Sequence, residues 1–194
     1  MASPDGVGQM RWDDLFRDLE AQLASAQAAE LDAEVADRVR REAALLGLID
    51  RARAAVGHPV VVRVLGAGPV DGVLADVGAQ WLLVTEAGGR EVLVPMAAVV
   101  SLGGLRAWTE APGSAGQVFA RLGLGSALRG IARDRLPVQV WLTDASVVSG
   151  TVDRVGADFV EVSEHGPGEA RRGGEVGAVR TVPFSALALV RSGG

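Results

Sequence analysis

Residues 70–84, VDGVLADVGAQWLLV, return 78 positions later as residues 148–162, VSGTVDRVGADFVEV. Both stretches carry the same turn, Val77-Gly78-Ala79 and Val155-Gly156-Ala157, and both place a glycine, Gly72 or Gly150, inside the strand that leads into it. Apolar and polar residues alternate on either side of the turn, the period of a half-buried strand. A glycine inside such a strand allows a bend or a close approach of another backbone. Each copy therefore reads as a bent hairpin. Residues 58–84 match 136–162 without a gap, pairing Pro59 with Pro137, Val62 with Val140 and Trp81 with Phe159. The match resumes at Val94-Pro95 against Val182-Pro183, after ten extra residues in the second copy. Those fall in HGPGEARRGGEVGA, residues 165–178, whose polar, glycine-rich composition predicts a mobile hairpin tip.

Outward from the hairpin, residues 59–102 divide into five short strands: PVVVRVL, VDGVLADV, QWLLVTE, REVLVP and VVSL. The second copy begins its own set at Pro137. Before the first set, residues 11–57 follow a helical period. Trp12, Leu15, Phe16, Leu19, Leu23 and Ala26 mark one face, and Val35, Val39, Leu46, Ile49 and Val56 continue it. Asp13 and Asp14 suit a first turn, Gly57-His58-Pro59 suits a helix end, and a break near residues 29–33 would give two helices. The stripe either packs on its own domain or forms a coiled-coil dimer arm. Before the second set, residues 118–135 form a shorter helix with Val118, Leu122, Leu128 and Ile131 on its apolar side, weakened by Gly123, Gly125 and Gly130. The organisation is a disordered tail (1–10), a helical segment (11–57), a first strand unit (58–102), a linker (103–117), a helix (118–135) and a second strand unit (136–191).

The sequence contains no Cys, Lys, Asn or Tyr, and all 19 basic residues are Arg, the mark of a GC-rich, bacterial genome. Without Cys there is neither a disulfide nor a thiolate metal site. No signal peptide is evident at the start, and the longest apolar run, 92–100, is too short to span a bilayer. The expected location is the cytoplasm, with no membrane contact. Net charge is −4 over 1–57, −2 over 58–112 and +1 over 113–194, against −5 for the whole chain. A negative total argues against a dominant phosphate-binding surface. The local exception is Arg121, Arg129, Arg133 and Arg135, a candidate nucleic-acid site that competes with a plain solvated helix face.

Catalytic signatures are missing. His58 and His165 have no metal-ligand companions, a phosphate-binding loop of the GxxxxGK[ST] type is ruled out without Lys, and Ser126 and Ser149 lack a base and an orienting acid. No cofactor, metal or catalytic residue is assigned, and the chain reads as a non-enzyme.

A helix followed by a strand, a strand bent at glycine and short hairpins, carried by VQVWLTDASVVSGTVDRVGADFVEV and VRTVPFSALALV, resembles the Sm-like family, which includes bacterial Hfq. It is also similar to the small C-terminal barrel of the ribosome maturation factor RimP. The resemblance covers about 115 residues and implies an α+β, mainly β fold: two tandem five-stranded Sm-like or SH3-like barrels, each preceded by a helix, plus the N-terminal amphipathic helix. It also implies an RNA site that the residues contradict. Gly78 and Gly156 stand where the family has Asp, and Leu82 and Val160 where it has Asn. Val94-Pro95 and Val182-Pro183 replace its Arg-Gly step. Aliphatic side chains make no hydrogen bonds to base edges. Trp81 and Phe159 read as core, and Trp141, matched to Arg63, as a residue of a different face.

The function expected from all this is a non-catalytic structural or interaction module, with self-association and a protein partner. The alternative is an RNA- or DNA-binding regulator acting through the arginines of 121–135. Incompletely closed barrels leave strand edges that invite pairing. The fourth strand of one copy, 90–95 or 178–183, is therefore expected to pair with the fifth strand of the other.

Overall fold

The computed structural model describes residues 6–45, 47–105, 122–165 and 178–193, excluding the side chains of residues 6–11, 13, 14, 42, 43 and 45. The chain divides into two compact units, Met1–Leu46 and Gly47–Gly194. Among its described residues the first is a single helix, α1 (Gly6–Leu45), which runs without interruption through residues 29–33. The break falls instead at Gly47, whose extended backbone precedes α2 (Leu48–Arg53); glycine is a poor helix residue because of the backbone entropy it loses. Asp13 and Asp14 consequently lie beyond the first turn of α1. At about 100° per residue, one unbroken helix places Val35 and Val39 roughly opposite Phe16 and Leu19. The two apolar sets do not form one stripe, and within the unit all four residues are exposed. Among the described residues, no helix is long and apolar enough to cross a membrane.

Among the described residues the second unit holds ten strands, where the period-two alternation places them. The first repeat contributes β1 (Pro59–Val64), β2 (Gly68–Val77), β3 (Trp81–Glu86), β4 (Glu91–Pro95) and β5 (Val99–Gly103). The second contributes α3 (Leu124–Asp134), β6 (Pro137–Leu142), β7 (Val147–Val155), β8 (Phe159–Glu164), β9 (Val179–Pro183) and β10 (Leu187–Ser192). Register follows the repeat closely. Pro59 faces Val73 as Pro137 faces Thr151, and Gly72 faces Glu86 as Gly150 faces Glu164. An equivalent irregularity, between Leu74 and Asp76 or Val152 and Arg154, interrupts both hairpins.

The glycines of the opening motif have a steric reason. A Cβ at Gly72 would lie 2.3 Å from the carbonyl oxygen of Thr85, and one at Gly150 would lie 2.1 Å from that of Ser163. Gly78 is closed by the Trp81 ring at 2.2 Å and Gly156 by the Phe159 ring at 2.3 Å. Each turn glycine lets an aromatic ring fold back over the backbone.

The expectation of two tandem five-stranded barrels is wrong. The strands form one open antiparallel sheet in the order β5-β1-β2-β3-β4-β10-β6-β7-β8-β9. Closing either repeat would need its fourth and fifth strands to pair. The short 3₁₀ turns Met96–Ala98 and Phe184–Ala186 instead send the fifth strand across to the first. That leaves the fourth strand open, and β4 pairs with β10 of the other repeat, as the edge argument anticipated. Two apolar cores result. One gathers Val62, Leu74, Leu82, Val84, Val92 and Val94; the other gathers Leu128, Val140, Val152, Val160, Val162 and Val182. Helix α3 rests on β7 with Leu124 and Leu128 buried, and starts only at Leu124, after an extended Gly123.

Candidate interaction surfaces

The strand seam is built from continuous apolar runs. On β4, Val92 and Val94 belong to the first core and Leu93 to the second. On β10, Ala188 and Leu189 enter the first core while Leu187 and Val190 enter the second. A strand buried on both faces cannot keep a polar alternation, and these two do not. Leu93 faces Val190 and Val92 faces Arg191 across the seam.

Polar groups fasten its rim. The Arg191 guanidinium donates to Glu86 at 2.8 Å and stands 5.8 Å from the centroid of the Trp141 ring. The pair is largely shielded, with side chains 19% and 15% exposed, so its attraction is screened less than that of a surface pair. Arg90 approaches the second oxygen of Glu86 at 3.8 Å, and the Glu91 amide donates to the Ser192 hydroxyl at 2.9 Å. Trp141 packs against the first core although it belongs to β6 of the second repeat. The seam thus explains why it departs from Arg63. Its indole nitrogen and the Arg191 Nε are buried without a hydrogen-bond partner.

The outer edges carry the repeat counterparts of these strands. In β9, Arg180 and Thr181 replace Val92 and Leu93; in β5, Val100, Ser101 and Gly103 replace Ala188, Leu189 and Arg191. Arg180 binds Glu164 at 2.5 Å, and that hydrogen bond together with the carboxylate charge raises its pKa above the ordinary guanidinium value.

A polar cluster sits on β7 and β8. Thr151 and Ser163 are buried cross-strand partners. The Thr151 hydroxyl meets His165 Nε2 at 2.8 Å, and the Ser163 hydroxyl donates to Asp153. Ser149 offers its carbonyl to the His165 amide, and Ser126 accepts a 3.4 Å bond from Arg129. Val73, Thr85 and Ala87 hold the corresponding places in the first repeat, where they line a shallow cleft of about 550 Å³ together with Pro59, Val61 and Gly104. The described residues contain no group of three His, Cys, Asp or Glu able to hold a metal ion.

Of the candidate arginines, Arg129 and Arg133 lie one turn apart on α3 and are exposed. Arg135 caps that helix in a left-handed conformation, also exposed. Among the described residues no ion pair joins these three to an acid. Arg121 lies outside the described residues, as do residues 166–177. Leu82 and Val160, at the family's polar positions, are fully buried. Trp81 is buried and donates its indole hydrogen to the Leu122 carbonyl at 3.0 Å, whereas Phe159 is half-buried. Sequence reasoning missed the Glu86–Arg191 bridge. Its available signal was Arg191 standing where the first repeat has Gly103, beside the apolar run 187–190. Compared with family models, curated proteins and solved structures, the chain matches none of them.

Proposed function

We propose that this chain is a non-catalytic interaction module whose working surface is the edge of its sheet. The observation that carries this reading is the β4–β10 seam, where two edge strands far apart in sequence join two cores and are buried on both faces. Contacts of the seam type are apolar and survive high salt. Affinity capture of the intact chain from native lysate, with and without nuclease, is the test. A stoichiometric protein retained after nuclease and in high salt is expected. Recovery of nucleic acid alone, lost as salt rises, overturns the reading.

A second reading is favoured by the exposed Arg129, Arg133 and Arg135: an RNA- or DNA-binding regulator that grips phosphates through α3. Its mark is an affinity that falls steeply with salt. Arg129→Glu with Arg133→Glu should then abolish nuclease-sensitive capture.

A further inference from the structure

The seam joins the fourth strand of one repeat to the fifth strand of the other. The reciprocal pair, β9 and β5, forms the two outer ends of the same sheet. We propose, building on the interaction-module reading, that one partner is a second copy of this chain, with β9 of one molecule pairing antiparallel with β5 of the next. The seam supplies the template. Carried over the repeat, Val190 facing Leu93 becomes Leu102 facing Thr181, and Arg191 facing Val92 becomes Gly103 facing Arg180.

Three observations favour this partner. Among the described residues each outer strand is paired on one side only, β5 with β1 and β9 with β8, leaving a row of backbone donors and acceptors on the other. Val100 is 65% exposed on β5, at the place where the seam buries Ala188 completely, and Val179 is 54% exposed on β9. The two edges are also the complementary halves of one contact, which a molecule of this build presents at opposite ends of its sheet. Such a contact is heterologous, so it propagates head to tail, into a ring where the rotation closes and a filament where it does not. Arg180, Thr181, Ser101 and Gly103 make it more polar than the seam. It also lacks the effective concentration that a covalent link gives the seam. The association is therefore weaker than the seam and dependent on concentration.

Sedimentation of the full chain over a concentration series tests the proposal, with Val100→Asp spoiling β5 and Thr181→Asp spoiling β9. Both positions are exposed, which favours retention of the fold, and circular dichroism checks it. The double variant sets the baseline mass. Wild type should rise above that baseline with concentration, while each single variant stays on it. An equimolar mixture of the single variants should form pairs at twice the baseline and nothing larger, because one intact β9 and one intact β5 remain. Wild type held at the baseline overturns the proposal. So does either single variant associating alone, which would mean pairing of like edges or another surface. If wild type stays at the baseline while lysate capture still returns a stoichiometric protein, self-pairing falls and the module reading stands. Loss of lysate capture alone removes the module reading and leaves the mass series to decide self-pairing.

Discussion

β4 and β9 occupy the same place in two copies of one repeat, yet β4 has four of its five residues buried and β9 only one. Likewise β10 is buried over residues 187–190, whereas its counterpart β5 has no buried residue. The difference lies in what each strand pairs with. Strands at the seam touch a core on both faces; strands at the ends touch one core and solvent. Composition follows: Val92-Leu93-Val94 against Arg180-Thr181-Val182, and Leu187-Ala188-Leu189-Val190 against Val99-Val100-Ser101-Leu102. An edge that has gained a permanent partner has lost its polar residues, while a free edge keeps charge and hydroxyls that discourage indiscriminate pairing.

Proline probes should break this contrast most visibly. Val92→Pro removes a ladder donor from a strand paired on both sides, a place where proline is essentially not found, and should strongly lower the thermal midpoint. Val179→Pro, at the free edge, should lower it far less. Equal losses would mean that the seam does not hold the unit together. Next in size is Leu189→Ala, a buried leucine truncated where both repeats meet, with an expected loss of about 2–5 kcal/mol in denaturant titration. Its counterpart Ser101→Ala is exposed and should stay within about 0.5 kcal/mol of wild type.

Two glycines sharpen the contrast further. Gly66 and Gly68 both have left-handed backbones, φ +76° and +79°. A Cβ at Gly66 would stand 2.5 Å from the Leu142 carbonyl oxygen of the other repeat, whereas at Gly68 it would meet nothing within 4 Å. Alanine at either position should cost about 1–2 kcal/mol from backbone conformation. Gly66→Ala should add a clear further loss in the same titration, and that excess measures the contact between the repeats.

The smallest effect concerns the corresponding hairpin of the second repeat. There Asp144 accepts the hydroxyl of Ser146 at 2.6 Å and its amide at 2.9 Å. These bonds, the hydroxyl first, hold the carboxyl below its ordinary pKa. A carboxyl depressed in the folded state contributes stability above its unfolded pKa and loses that contribution as pH falls through the folded value. Ser146→Ala should move the Asp144 titration, followed by NMR, up toward the ordinary carboxylate range. An unchanged titration would show that the hydroxyl does not set it.

Much of this architecture is written locally. The repeat fixes ten strands and their hairpin registers, because period-two alternation and turn glycines act over a few residues. Gly72, Gly78, Gly150 and Gly156 mark close approaches within single hairpins, and Trp141 standing in place of Arg63 signals a different surface. The apolar runs 92–94 and 187–190 also carried, unread, the information about which edges lie inside. What the sequence alone left undecided was closure: an inward-facing alternation is the same in a closed barrel and in an open sheet. That choice depends on the pairing of strands about 100 residues apart and on burial from two cores at once. Only the tertiary structure decided it, and with it the placing of Glu86 beside Arg191 and the exposure of β5 and β9.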